Sequence, residues 1–458
     1  MQRRLLLAVL ALAGCATSLV SNIGTEPDVP PNSGATEAAA GFDGLPNGSV
    51  DADTFAADQD EFDGVELVAD GLGPVYNAQS CRECHQNPQS GGASQVTELR
   101  AGHRDADGRF QAPRVPIAHG QAVIEGRTLI NDRAICPSRA FSDQEIQERL
   151  PNTETITTFR LSVNVLGDGL IEAIPDDALR ALSARQCKDT RGRICGLALE
   201  VPVLESSDAY RVGRFGWKNQ HASLLSFAAD AYLNEMGITS RLQPDEVTKV
   251  CDTIADPEDN PGAEASQAAR ARTRAPARGA AAVADIDRFA RFMRATKAPA
   301  RDTALANTPA AQNGARHFDR AGCATCHVRT HLTAPAGTRL NGGAFTVPNA
   351  LGNRLFHPFS DFLLHDVGTG DGIPTVVTEN YGKGHLDMQD RMAPTADRMR
   401  TAPLWGLRTR ARLMHDGASL TVRDAIARHR GEANDARRRF HSLSAEEQAE
   451  LLSFLQSL

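Results

Sequence analysis

Periodic apolar stretches are few along this chain, and each predicts a definite element. Residues Leu5 to Ala13 form an unbroken apolar run behind Arg3 and Arg4. Ile286, Phe289, Phe292 and Met293 recur at three- and four-residue spacing, which predicts a short amphipathic helix ending towards Ala298-Pro299. Near the C-terminus Leu451, Leu455 and Leu458 share a face, and Ser444 with Glu447 makes a capping-box pattern, so a closing helix is expected from Ser444 to Leu458. Strand-type alternation is scarce. The expected fold is mainly α, with long loops and little β.

The polar stretches divide the chain. Residues 16–50 are rich in Gly, Pro, Ser, Asn and acidic residues, the composition of a disordered tether. Asp256 to Ala282 sets Pro257, Pro261, Gly262, Pro276 and Gly279 beside Arg270, Arg272, Arg274 and Arg278, which favours an exposed loop. Four segments follow: 1–15, 16–50, 51–298 and 299–458.

The first segment has the form of an export signal, a charged start, an apolar run and small residues before a cleavage point. The run is too short for a membrane span, which takes about 20 residues. Leu12-Ala13-Gly14-Cys15 fits a bacterial lipobox, so Cys15 is expected to carry lipid and to hold a periplasm-facing protein on its membrane. That lipid would be the membrane contact. With 458 residues, 41% of them apolar, the chain can bury real cores, and a net charge of −8 gives no reason to expect nucleic acid as a partner.

Nine cysteines sort by position. Besides Cys15, four lie in two pentads, Cys81-Arg-Glu-Cys84-His85 and Cys323-Ala-Thr-Cys326-His327. Cys136, Cys187, Cys195 and Cys251 remain, and in an oxidising compartment they are expected to form two disulfides. Three connectivities exist; Cys187–Cys195 with Cys136–Cys251 is favoured.

C-x-x-C-H is a chemical device. Two thiols on one turn reach the two vinyl groups of a haem, and the adjacent His becomes an axial ligand of its iron. Zinc is a rival for paired cysteines, but zinc pairs normally lie close together in the chain. A thioredoxin-like pair would need a βαβ setting, which neither motif has. Each pentad follows a segment ending in Ser or Gly, as at the start of a cytochrome c domain. Two covalently bound c-type haems, in two cytochrome c-like domains, are therefore expected, with His85 and His327 as axial ligands.

Beyond the pentads, several phrases resemble the bacterial diheme peroxidase superfamily, above all its di-haem oxidoreductase branch, also called thiol oxidoreductase. They are GLGPVYNAQSCRECH at 71–85, LGDGLIEAIPDDAL at 166–179 and GRFGWKNQHASLLSFAADAYLNEMGITS at 213–240. PFSDFLLHDVG at 358–368, RTAPLWGLRTRARLMHDG at 400–417 and DAIARHRGEA at 424–433 continue the series.

The resemblance implies an oxidoreductase, peroxidase-like, that passes electrons from a C-terminal haem to a peroxide-binding N-terminal one. Trp217 would relay the electrons, and Glu235, beside Met236-Gly237, would act as acid/base on bound peroxide. Phe227 stands where these peroxidases carry a Gln. The residue fourteen after His415 is His429, which by this resemblance ligates the second iron together with His327, where typical peroxidases have Met; Met414 and Met399 are the fallback ligands. His103 and His119 are candidates for the far side of the first haem. A small electron-donor protein such as a cytochrome or cupredoxin, hydrogen peroxide or a related oxidant, and a calcium ion between the domains are the further expectations. Two alternatives are oxidation of a partner protein or organic substrate by high-valent haems, and electron transfer without catalysis.

Overall fold

The computed structural model describes residues 34–251, 283–375 and 392–458. The expected export signal with Cys15 and the arginine-bearing stretch from Asp256 to Ala282 lie outside the described residues. No helix among those described is long and apolar enough to cross a membrane.

The molecule is not mainly α. The described residues are 34% helix and 16% strand, the strands gathered in several small sheets. Most strands have only two or three residues, too short for alternation to show in a sequence. The largest sheet has four antiparallel strands, in which Thr97–Arg104 pairs with Phe110–Gln111, Leu129–Ile130 and Ile156–Leu161. Glu98 and Arg100, two apart on a strand, project from the same side of this sheet. The other side of the strand offers only Leu99 and Ala101 to the core, too brief an alternation to mark a strand.

The helix of residues 285–295 forms where the apolar spacing puts it, with Ile286, Phe289, Phe292 and Met293 buried. It packs between the helices Ala52–Asp63 and Leu224–Met236, and Phe62 meets both Phe289 and Phe292. This core continues into the C-terminal half through Val347, Phe356, Phe362 and Trp405.

A second core joins the helix Pro309–Ala321 to the closing helix Ala445–Gln456 through Phe318, Leu451, Phe454 and Leu455. The capping box holds: Glu447 N–H donates to Ser444 Oγ at 3.2 Å and Ser444 N–H to the Glu447 carboxylate at 2.8 Å. The two helices touch at Gly314, where any Cβ would collide with the Glu450 carbonyl.

The described part of the expected tether, residues 34–50, is docked on the rest of the chain. Thr36–Glu37 pairs in parallel with Arg354–Leu355, and the Asn47 amide donates to the carbonyls of Arg294 and Thr296 at 2.8 and 3.0 Å. A polar segment docks wherever distant backbone offers partners, and composition does not report that. Both favoured disulfides, Cys136–Cys251 and Cys187–Cys195, are present.

Candidate functional site

The helix Pro309–Ala321 starts with Thr308 as N-cap and Pro309 in its first turn, and ends at Gly322, whose φ of 86° turns the chain sharply. Cys323 follows at once. Cys323, Cys326 and His327 then line a cleft enclosing about 1680 Å³ of empty space, its open mouth included.

His429 lines the same cleft, opposite His327, the two ring centres 6.5 Å apart. His327 Nδ1 donates to the Phe359 carbonyl at 3.0 Å, and His429 Nδ1 to the Ala425 carbonyl at 2.8 Å. With each Nδ1–H engaged, the remaining lone pair on each ring is on Nε2. Metal–imidazole bonds of about 2 Å put the centres of two axial rings roughly 6 Å apart, so this spacing suits one iron between them. Burial, with His429 nearby, pushes the His327 imidazole down to about 4, and burial also lowers His429. Both rings are therefore neutral at physiological pH, the ligating form.

The rest of the lining fits a porphyrin. Phe318, Leu407, Ile426 and Leu455 supply apolar walls, and Arg400 and Arg410 supply charge. Burial pushes both guanidinium groups down to about 10, and Arg410 also feels the charge of Arg400. Arg400 Nε and Arg437 Nε, buried against the same cleft, lack hydrogen-bond partners. A buried guanidinium N–H without a partner is costly unless an acceptor meets it, and the propionates of a haem would do so. Met399 and Met414 also line the cleft.

The first pentad sits on a short helix, Cys81–Cys84, capped by Ser80, with His85 directly after it. Burial pushes the His85 imidazole down to about 4, and its ring lies 6.1 Å from that of Phe62. Glu235, at the end of the helix Leu224–Met236, is tied to the segment just before this pentad. The main-chain N–H groups of Asn77 and Ala78 donate to its carbonyl at 2.7 and 3.1 Å, and the Asn77 amide donates to its carboxyl at 2.8 Å.

A second carboxyl, that of Glu98, is hydrogen-bonded to Glu235, and two such groups must share a proton. Burial, followed by the charge of Glu98, raises Glu235 well above the usual carboxyl range. Burial would also raise Glu98, but Arg100 Nε at 2.7 Å holds it ionised. Glu235 therefore carries the proton. Burial, and next the carboxylate form of Glu235, push the Cys84 thiol up to about 12.

Trp217 lies between the two groups. Its ring lines the cleft of the second pentad, with the His415 ring edge-on at 6.2 Å. Its indole N–H donates to the Leu161 carbonyl, and the adjacent Ser162 hydroxyl donates to the Cys84 carbonyl. Phe227 stacks near Phe215 and His221, an apolar ring where an amide was expected. His103 and His119 are each engaged with a carboxylate, Glu154 and Glu145, and the His119 side chain is 71% exposed.

Among the described residues, two groupings have three or more metal-type donors, Glu61 with Glu66 and Asp285, and Cys326 with Asp361 and His365. Each draws its donors from one half of the chain, so neither takes ligands from both domains, between which calcium was expected. Sequence reasoning missed Glu98, Arg100, Arg400, Arg410 and His365. The last three stood inside quoted phrases; Glu98 and Arg100 had no signal beyond two charges at strand spacing.

A family model described as di-haem oxidoreductase, putative peroxidase, matches residues 130–458. The chain belongs to this di-haem oxidoreductase family. The matched region holds the second pentad, Trp217, Glu235 and His429, while the first pentad precedes it. No curated protein matches the chain. Two solved structures resemble it weakly. One is a xenon-pressurised hydrazine synthase from Kuenenia stuttgartiensis, 13% identical, with a TM-score of 0.38 and 100% of both chains covered. The other is a MauG-like protein associated with microbial copper homeostasis, 14% identical, with a TM-score of 0.38 and 94% of both chains covered. Likeness this low carries no functional argument. Family membership makes haem the cofactor and redox chemistry the function.

Proposed function

We propose that this di-haem oxidoreductase is a peroxidase-type enzyme with two covalently attached c-type haems. Cys81 and Cys84 would hold one, with His85 on its iron; Cys323 and Cys326 would hold the other, with His327 and His429 as axial pair. Bound haem supplies one-electron chemistry and, where an axial position is open, a place for peroxide. Electrons enter at the His327 side, pass Trp217 and reach the His85 side.

The observation that supports this best is the Glu235–Glu98 pair beside Cys84. Glu235 keeps a proton at neutral pH and can deliver it to the leaving oxygen of peroxide, a role that needs a protonated carboxyl. Glu98, ionised against Arg100, can accept the next proton from solvent and return it to Glu235. Hydrogen peroxide thus takes electrons and protons to become water. Glu235→Gln should lower peroxide-dependent oxidation of a reduced donor about a hundredfold, within the usual range for a lost acid/base group, with both haem spectra unchanged. Wild-type turnover in that variant would sink the reading.

Phe227 favours a second reading. Without an amide to handle peroxide, the same relay suits oxidation of a partner protein or organic substrate at a distance, and turnover of such a substrate at low peroxide would distinguish it. The protein would work on the periplasmic side, anchored through lipid on Cys15 and served by a small electron-donor protein. Loss of membrane association in Cys15→Ala tests the anchor.

A further inference from the structure

His365 is 1% exposed and lies between two carboxylates. Its Nε2 is 2.8 Å from Asp361 Oδ2, and its Nδ1 is 2.7 Å from Glu432 Oε2. Ionised carboxylates only accept hydrogen bonds, so both ring nitrogens must donate and the ring is an imidazolium. Arg398 meets Glu432 at 3.1 Å at the half-buried edge, giving two cations for two anions and a balanced cluster.

The two carboxylates stand near the two facing imidazoles, one in the segment that orients His327 and one just after His429. Asp361 stands two residues after Phe359, whose carbonyl orients His327, and it also accepts from the Gln186 amide at 2.6 Å. Glu432 stands three residues after His429, on the short turn Gly431–Ala433. It also accepts from the Cys195 N–H at 3.1 Å, and its own N–H donates to the Asp366 carbonyl at 2.8 Å. His365 Nδ1 is 3.9 Å from Cys326 Sγ. Space for the ring depends on Gly196, where a Cβ would come within 2.6 Å of His365 Nε2.

We infer that His365 is a positioning residue, an ionic clamp that joins the segment orienting His327 to the loop bearing His429 and so sets how firmly the second imidazole holds the iron. The clamp touches neither the iron nor a substrate. It acts through Asp361 on the His327 side and Glu432 on the His429 side. Outer-shell partners of metal ligands commonly change metal–ligand affinity by about 10- to 100-fold, and this one spans both sides of the site. The inference rests on the reading that His327 and His429 share one iron.

The test uses the full-length, haem-loaded protein. His365→Gln keeps the approximate size but cannot be a cation donating to both carboxylates. The C-terminal haem should gain a high-spin fraction in optical and EPR spectra, and its affinity for added cyanide should rise about tenfold or more. The spectrum of the His85 haem should stay unchanged, which shows that the chain has folded. Gly196→Ala, which crowds the ring without altering the charges, should shift the same signals in the same direction. His429→Ala is measured beside them. If it leaves the C-terminal haem spectrum unchanged, the shared-iron reading fails. If it changes that spectrum while His365→Gln keeps wild-type spin state and cyanide affinity, the clamp is overturned. Should His365→Gln lose the signals of both haems, Glu432→Gln decides: weakened His429 binding supports the clamp and wild-type behaviour overturns it.

Discussion

Trp217 donates its indole N–H to the Leu161 carbonyl at 2.7 Å, while the next residue, Ser162, donates its hydroxyl to the Cys84 carbonyl at 2.6 Å. Two short hydrogen bonds thus tie the indole to the first pentad while its ring lines the cleft of the second. Trp217→Phe keeps an aromatic ring but removes the N–H and the more easily oxidised indole. Electron transfer between the haems should slow about tenfold or more, a barrier increase of about 1.4 kcal/mol, with both resting spectra unchanged. Stopped-flow reduction would show it; an unaltered rate would take Trp217 off the path.

His429 decides the ligation of the second haem. His429→Ala should leave that haem five-coordinate or water-bound, with little effect on its neighbour. His429→Met should keep it six-coordinate and raise its reduction potential, because a thioether favours ferrous iron more than imidazole does. Potentiometry with optical detection measures both. A low-spin spectrum unaffected by His429→Ala would move attention to Met399 or Met414, which line the same cleft.

Asp168 should make stability depend on pH. It is buried, and burial raises its carboxyl to about 8 from an ordinary 3.8. Between those values the folded chain holds a proton that the unfolded chain has released. Stability therefore falls as pH rises through this window, by at most about 1.4 kcal/mol per pH unit from this one group. Asp168→Asn removes that slope. Urea midpoints at pH 5 and pH 8 should show the variant gaining on wild type at the higher pH, and parallel pH profiles would contradict the assignment.

Each pentad should attach its own haem. Cys84→Ser should weaken attachment at the first site and Cys326→Ser at the second, each leaving the other haem bound through acid–acetone extraction. A haem-free, zinc-containing protein made with haem-maturation machinery present would exclude covalent haem at both sites.

What could be read in advance was local. The capping box at Ser444 and Glu447, the buried face of residues 285–295 and the two pentads each depend on residues within a turn or two of one another, and such patterns survive in one dimension. The strands did not. In Thr97–Arg104 only Leu99 and Ala101 face a core, opposite Glu98 and Arg100, and two apolar positions are too brief an alternation to mark a strand. Residues 34–50 looked unstructured because their backbone partners, at 298 and 353–355, lie far along the chain.

The sequence by itself determined the two C-x-x-C-H motifs and left three connectivities for the four remaining cysteines, one of them favoured; the family resemblance added His429 as the residue to examine opposite His327. Only the tertiary structure decided that Glu98 shares a proton with Glu235, that Arg400 and Arg410 meet in one cleft, and that His365 joins Asp361 to Glu432. The reason is physical. A covalent motif or a helix cap works through neighbours in the chain. A shared proton, a buried cation and an ionic clamp exist only when folding brings distant side chains within hydrogen-bond reach and removes the water that would otherwise screen them.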